Sequence, residues 1–312
     1  MEHCGYKCHY RPIKALLILH FRVTYSPSPA LPADTTIAPA SCGNIAPADT
    51  CVLTITPGAT ASAAAYDTSP TPITLSVQGI NTNTLTPMLN IVELASVYQS
   101  GFIYSIDDAT PTTGSIGGKV AAVTDQAAGD LSGIIWSSDG SGTTASYIAI
   151  FGISETSTST SPNPSTGQIT GQSACNGAYD GACDTTNIVA YYSIPNTNPA
   201  INLTYYASGL CKASIGGYTD WYLPAICEMG PASNGSGCVS GTPNMVTNLP
   251  LLLTACTGTS CLAGFYWSST ENSGGPTGGA WAQHFASGGG SSQNGSNKGF
   301  KLGVRCSRAL TL

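Results

Sequence analysis

The cysteines constrain the fold of this chain more than any other feature of its sequence. Twelve are present, and ten follow the thirty N-terminal residues, which hold Cys4 and Cys8. Structural zinc sites use Cys-x-x-Cys pairs or mixed Cys/His clusters, and this part of the sequence contains neither. The ten cysteines therefore predict disulfide bonds, which persist in oxidising compartments, so we expect an exported protein.

The spacing of the ten cysteines favours short-range pairs. Eight of them lie close to a neighbouring cysteine, and the remaining two would close one long loop. Ten cysteines allow many connectivities, so the sequence leaves the pairing open. The pairs favoured by spacing are Cys42 with Cys51, Cys175 with Cys183, Cys227 with Cys238, Cys256 with Cys261, and Cys211 with Cys306.

The composition predicts a surface that is polar but nearly uncharged. Asp, Glu, Lys and Arg make up 8% of the chain, against roughly 25% in an ordinary globular protein. The net charge is −6 overall but +3 over the first thirty residues, so the rest is acidic. Six Lys and Arg residues follow residue 30, too few for a basic stripe. This disfavours nucleic-acid binding and charge-driven binding of sulfated polymers.

The N-terminal segment is a poor export signal. The run "IKALLILHF" at 13–21 has a basic flank, but it is short, is broken by His20 and lacks a convincing cleavage site. No segment approaches the ~20 apolar residues of a membrane span, so no transmembrane span is predicted. The Pro-rich run "YSPSPALPADTTIAPA" at 25–40 indicates a linker. We predict a poorly ordered segment and linker over 1–33.

Two folded units are predicted after the linker. The stretches "CVLTITPG" at 51–58 and "PITLSVQGI" at 72–80 alternate apolar and polar residues, as sandwich strands do. About three strands are visible before residue 90, whereas an Ig-like sandwich has about seven. Residues 34–94 are therefore predicted to form a partial Ig-like β-sandwich segment, and residues 95–312 a second domain.

The second domain is predicted to be β-rich, with one or two short helices and long loops. The stretch at 201–217 has helical apolar spacing and ends at Gly216-Gly217. A second short helix, "PAICEMG", has Pro224 near its first turn. Because the later stretches alternate as strands do, the predicted class is α+β.

Four motifs occur in order in this second domain. They are "CKASIGGYTDWYLPAICE", "YWSSTE", "AWAQHFASG" and "VRCSR". Residues 97–310, which contain them, resemble the bacterial domain family named after the C-terminal domain of the Legionella collagen-like adhesin, a family similar in fold to C-type lectins. Tyr222 stands where that family usually has Arg, and Met229 where it has Leu. The missing arginine weakens any inference to anionic ligands.

The resemblance implies a C-type-lectin-like domain whose two ends are fastened by Cys211 and Cys306. It also implies that three tryptophans in the motifs belong to the scaffold and that ligands meet the loops of 270–300. The preceding segment resembles a fragment of the Ig-like repeats of bacterial surface proteins. The three scaffold tryptophans are Trp221, Trp267 and Trp281.

The candidate ligand-binding residues lie mainly on two polar, Gly-rich loops. These are "ENSGGPTGGAW" and "FASGGGSSQNGSNKGFK", and loops on a rigid scaffold commonly carry function. Trp136 is added because an aromatic ring can stack on a sugar. Burial of Trp136 and simple solvation of the loops are the alternatives. The predicted ligand-binding residues are Trp136, Glu271, Asn272, Gln283, His284, Ser291, Gln293 and Asn294.

Catalytic and metal chemistry have little support in the sequence. His284 is the only histidine after residue 20, and no nucleophile motif lies beside it. Glu228 and Glu271 could form a carboxylate pair, but structural roles fit both better. We predict neither an enzyme nor a cofactor, with calcium as the alternative cofactor. The oxygen ligands for calcium would be Asn176, Asp180, Asp184 and Asn187, which lack EF-hand spacing.

These observations predict an extracellular or cell-surface binding module of the adhesin or lectin type. It would recognise a glycan or an extracellular protein through loops on a disulfide-braced scaffold. The alternative is a structural cell-envelope protein without a soluble ligand. In that case the chain could form a homo-oligomer. A hydrolase built around His284 is the third hypothesis.

Overall fold

The computed structural model describes two compact units. Unit 1 comprises Met1–Tyr98, Ile106–Gly118 and Leu310–Leu312, and unit 2 comprises Gln99–Ser105 and Lys119–Ala309. The described residues are β-rich, with several antiparallel sheets and five short helices, which is the mixed α+β class that the sequence predicts. They are 13–17, 23–43, 51–58, 60, 62, 69–79, 83–107, 117–128, 132–194, 196–197, 199–254 and 260–310.

Unit 1 consists of short strands around a small apolar core. Its strands are β1 (Ile13–Leu17), β2 (Val23–Ser28), β3 (Thr36–Ala38), β4 (Cys51–Thr56), β5 (Ile73–Gly79), β6 (Met88–Leu89) and β7 (Val97–Tyr98). In one sheet β4 lies between β1 and β3, and in another β5 lies between β2 and β6. Alternation along β5 turns Leu75 and Val77 inward, where they pack with Leu53 and Cys42.

Strands β1 and β2 fall where the sequence predicts a poorly ordered segment and linker. β1 pairs antiparallel with β4, and β2 pairs antiparallel with β5. The prolines of the linker do not prevent this pairing because β2 is the edge strand of its sheet. Pro27 lacks a backbone N–H, and an edge strand has one side on which no ladder bond is needed.

The second part of the chain holds all five short helices of the described residues. Its elements are β8 (Gly101–Asp107), β9 (Gly117–Ala122), α1 (Gly181–Tyr191), α2 (Ala207–Leu210), α3 (Ile226–Met229), α4 (Met245–Asn248), α5 (Pro250–Thr254), β10 (Gly264–Glu271), β11 (Gly279–Phe285), β12 (Ser292–Asn297) and β13 (Ser307–Ala309). β11 lies between β10 and β12 in one sheet, and β9 lies between β8 and β13 in another. The β10–β11–β12 sheet is the one that positions the candidate site.

The longest described helix, α1, is one that the sequence does not predict. Asp180 caps its N-terminus by accepting a hydrogen bond from the backbone N–H of Cys183. The stretch 201–217, predicted as the best helix, instead holds a 3-10 turn at Leu203–Tyr205 and the four-residue α2. The chain is extended at Tyr206, and the N–H of Ala207 bonds the Ile135 carbonyl oxygen rather than a helical partner.

Four disulfides brace the described residues. They are Cys42–Cys51 in unit 1 and Cys175–Cys183, Cys227–Cys238 and Cys211–Cys306 in unit 2. All four are pairs that the spacing favours. Cys261 is also disulfide-bonded, while its expected partner Cys256 lies outside the described residues. Among the helices of the described ranges, none has the length and apolar character needed to cross a bilayer.

Candidate functional site

Three segments of unit 2 meet around one buried lysine. They are 145–150, then 272–278, which joins β10 to β11, and 297–301, which follows β12; we call them the loop face. The side chain of Lys298 is fully buried, and its Nζ donates to the carbonyl oxygens of Ile148 and Pro276, both at 2.7 Å. The Lys298 ammonium group therefore links its own segment to the other two from the interior of unit 2.

Glu271, the last residue of β10, accepts the remaining hydrogen bond of this ammonium. Its Oε1 lies 2.5 Å from Lys298 Nζ, and neither side chain is exposed. The backbone N–H of Ile150 donates to both carboxylate oxygens, at 3.0 and 3.1 Å. Burial raises the pKa of Glu271 to about 7 and lowers the pKa of Lys298, while each opposite charge opposes its partner's shift. Replacing either side chain by an apolar one would leave the other group buried without its partner, which is destabilising.

Trp136 forms the floor beneath this ion pair. Its ring is fully buried, and the Lys298 ammonium lies 4.3 Å from a ring centroid, within the range of a cation–π contact. The indole N–H donates to the Ser268 carbonyl oxygen at 2.8 Å, and the backbone N–H donates to the Lys298 carbonyl oxygen at 3.0 Å. Trp136 thus supports the loop face from inside and presents no surface to a ligand.

Two aromatic side chains occupy the outside of the loop face. Tyr147 and Phe300 are each 54% exposed. The Tyr147 hydroxyl donates to Asn297 Oδ1 at 3.1 Å, and the same oxygen accepts the Gly299 N–H at 2.8 Å. The Phe300 N–H donates to the Asn297 carbonyl oxygen at 2.9 Å. The sequence reasoning missed Tyr147, because its apolar neighbours give no signal that separates it from a core residue.

The two predicted loops do not form one face, because the second of them runs along the whole length of the β10–β11–β12 sheet. The 272–278 connection and the residues after β12 lie at one end, whereas residues 286–291, which join β11 to β12, lie at the other. Strand β11 spans about 20 Å between these ends, because strands rise about 3.4 Å per residue. The second predicted loop also contains the strand β12. The expected single face at 270–300 is therefore two separate surfaces.

Gln283 and Gln293 face each other across β11 and β12 and are fully buried. The Gln293 amide donates to the carbonyl oxygens of Ile226 and Gly230 at 3.0 and 2.9 Å, and its oxygen accepts from the Ser236 hydroxyl. Gln283 donates to two backbone carbonyl oxygens of its own hairpin. With Trp136 and Glu271, these two glutamines are predicted ligand residues that the structure places in the interior.

The other four predicted ligand residues are partly exposed, but only one belongs to the loop face. Asn272 lies there and accepts the Gly274 N–H at 2.9 Å. His284 stacks on Phe265 with ring centroids 4.4 Å apart. Ser291 bonds the backbone of Ala286, and Asn294 accepts from Asn234 at 2.9 Å. These last three lie outside the loop face, each in contact with its own neighbours.

The oxygen ligands considered for calcium are separated by their structural roles. Asp180 caps α1, and Asn187 donates to the carbonyl oxygens of Phe151 and Ser173. Asp184 is fully buried, accepts from the Ser269 hydroxyl at 2.9 Å, and has a pKa that burial raises well above its usual range. Across the described ranges, no group of three or more His, Cys, Asp or Glu residues is placed to hold a metal ion.

Glu228 and Glu271 each have a lysine partner of their own. Lys119 binds Glu228, and Lys298 binds Glu271. Glu228 also accepts the Tyr222 hydroxyl at 3.1 Å and the Ala225 N–H at 2.7 Å. The two carboxylates therefore fix different parts of unit 2.

Comparison with known proteins yields no relative for this chain: no family model, no curated protein and no solved structure matches it. Its class is defined by its own geometry, as a disulfide-bonded α+β protein in which a buried ion pair fixes three loops beneath two exposed aromatic rings.

Proposed function

We propose that this chain is an exported, surface-associated binding module that recognises a glycan or an extracellular protein through the loop face. The observation that carries the proposal is the exposure of Tyr147 and Phe300 on loops fixed from below by Lys298. Rigid loops lose little conformational entropy when a ligand binds, and exposed aromatic rings supply apolar contact area.

Four disulfides support the proposed location outside the cytosol. Structural disulfides persist where thiols are not kept reduced. The location itself, extracellular or cell surface, is part of the proposal.

The proposed fold of unit 2 is C-type-lectin-like, preceded by a partial Ig-like segment. It is supported by the Cys211–Cys306 bond, which joins residues 95 positions apart. Trp221, Trp267 and Trp281 are buried, as the resemblance implies for scaffold residues. In this proposal the four motifs build the frame, and the loop face carries the ligand site.

A binding screen tests the proposed function. The oxidised full chain is applied to a glycan array and to a panel of matrix proteins, beside a Tyr147→Ala/Phe300→Ala double variant. Binding by the parent and its loss in the double variant, with circular dichroism unchanged, is the expected result. The control is Val239→Ala, because Val239 is 67% exposed and its N–H bonds Tyr179 rather than the loop face.

If the folded parent bound nothing on either the glycan array or the matrix-protein panel, the proposed function would be overturned. If light scattering then showed a defined oligomer, the structural cell-envelope alternative would replace it.

A further inference from the structure

The loop face is polar but contains few charged residues, and a carboxylate bonded to its surface, that of Glu155, accepts the N–H and the hydroxyl of Ser273. Segments 145–150 and 272–278 contain no Asp, Glu, Lys or Arg, and segment 297–301 contains two lysines. Of these, Lys298 is buried against Glu271, and only Lys301 is exposed. Ligands rich in sulfate or phosphate are held by clusters of cations, and one exposed lysine does not form a cluster.

Asn297 supplies a neutral donor and is hydrogen-bonded to both aromatic residues, through its side chain to Tyr147 and through its backbone to Phe300. Its Oδ1 accepts the Gly299 N–H, which can only donate, so the orientation of the amide is set. The Tyr147 hydroxyl donates to the same oxygen. Asn297 is exposed, and its Nδ2 has no hydrogen-bond partner among the described residues. That N–H group remains available to a ligand.

The size of the apolar area separates a sugar from a protein as the ligand. The exposed large apolar side chains of the loop face, among its described residues, are Tyr147, Ile148 and Phe300. A stable protein interface buries about 800 Å² on each partner, with a continuous apolar centre. Two rings beside a neutral amide fit a smaller ligand, one with an apolar face and hydroxyls at its edge.

We infer that the loop face is a subsite for an uncharged saccharide. The C–H face of a sugar ring packs on Tyr147 and Phe300, and a ring hydroxyl accepts a hydrogen bond from Asn297 Nδ2. The inference rests on the proposed function and names the ligand class of the same site.

An array of neutral and sulfated oligosaccharides, followed by titration of the strongest neutral hit, tests this inference on the full chain. We expect Tyr147→Ala and Phe300→Ala each to weaken binding about tenfold or more, as loss of an aromatic hot spot does. Asn297→Asp removes the amide donor and is expected to weaken binding several-fold. Val239→Ala is the control and leaves binding unchanged.

Salt dependence gives a second readout. Raising NaCl from about 0.05 M to about 0.5 M leaves the binding of a neutral sugar unchanged, because no ion pair is screened. Binding confined to sulfated glycans, and lost with salt or in Lys301→Ala, would overturn the inference while the proposed function stands. Binding confined to matrix proteins would likewise overturn the inference and leave the proposed function standing.

Two further outcomes are decisive. Neutral-sugar binding that survives both alanine variants would move the subsite elsewhere and overturn the inference alone. Absence of any binding by the folded chain would overturn the inference and the proposed function together.

Discussion

Strand β5 of unit 1 and strand β10 of unit 2 show two different ways of building an interior. Along β5 the inward residues Ile73, Leu75 and Val77 are buried and those between them are more exposed, the pattern of a strand with one face toward the core. Along β10 the last six residues are all buried, on both faces of the strand. Unit 1 follows a simple alternation, and unit 2 does not.

The buried end of β10 is polar, and each of its polar side chains has a designated partner. The hydroxyls of Ser268, Ser269 and Thr270 donate to Trp281 O, Asp184 Oδ2 and Gly177 O. Glu271 follows them and binds Lys298. A buried polar group without a partner costs about 1–3 kcal/mol. An interior of this kind therefore fixes the segments that supply its partners, including the loop face.

Removing disulfides is expected to give the largest loss of unfolding free energy. The loss should differ between the disulfide of unit 1 and that of unit 2. Cys211–Cys306 joins residues 95 apart and Cys42–Cys51 joins residues 9 apart. In the chain-entropy model the corresponding double serine variants lose about 4–5 and about 2–3 kcal/mol of unfolding free energy. Urea denaturation followed by circular dichroism measures both. Free Cys211 and Cys306 thiols in mass mapping of the parent would contradict the first value.

Breaking the buried ion pair is the next largest test. We expect Lys298→Met to lose about 3–5 kcal/mol at pH 8, because it leaves a buried carboxylate without its cation. Combining it with Glu271→Leu should restore much of the loss, because the isolated charge is gone. Lys119→Met is the matched control and should lose less, since the Lys119 side chain is 35% exposed and its ion pair is screened by water. Equal losses of unfolding free energy in Lys298→Met and Lys119→Met would mean that the buried ion pair contributes no more than the partly exposed one.

The same contrast explains what the sequence could predict. Alternation identified β4 and β5, and spacing favoured the four disulfides that form. Helix α1 was missed because positions that it buries include Asp184, Thr185 and Asn187, so it carries no apolar stripe. Strand β12 was missed because "SQNGSN" has no apolar alternation and pairs only through its neighbour β11.

The candidate site was predicted only in part. The 272–278 loop and the stretch that contains Phe300 were expected to meet a ligand, and both belong to the loop face. The role of Lys298 could not be foreseen, because a lysine in a Gly- and Asn-rich stretch normally lies in solvent. Its burial depends on Trp136 and Glu271, which are distant in the sequence. The interior position of Trp136 depends on the same tertiary contacts.

Glu271 also predicts how the stability of unit 2 responds to pH. Burial raises its pKa from the ordinary 4.5 to about 7. A carboxyl group with a raised folded pKa stabilises the fold below its unfolded pKa, and that contribution disappears as pH rises through the folded value. We expect unfolding free energy to fall between about pH 4.5 and about pH 7, and to fall less in Glu271→Gln.

Tryptophan fluorescence measures this effect, because all four tryptophans lie in unit 2. Urea midpoints are compared at steps of pH for the parent and Glu271→Gln. If the urea midpoints of the two proteins changed with pH in parallel, Glu271 would not be the cause of the pH dependence of stability. Asp184 is present in both proteins, and burial raises its pKa in the same direction. The Glu271 charge adds to that shift, so the comparison reports Glu271 together with its effect on Asp184.

Two hydroxyl deletions within unit 2 give the smallest effects and test whether partners in the interior matter more than partners at the surface. Thr270→Val leaves the buried Ile226 N–H without its acceptor, which lies at 3.0 Å, and should lose about 1–3 kcal/mol. Tyr147→Phe removes an exposed hydrogen bond to Asn297 and should lose less than about 1 kcal/mol, because water replaces the partner. It also keeps the exposed ring, so sugar binding should weaken far less than in Tyr147→Ala. Chemical denaturation and titration measure both quantities. Equal stability losses would mean that water reaches Thr270 as readily as Tyr147, and a hydrogen-bond partner in the interior would then contribute no more than one at the surface.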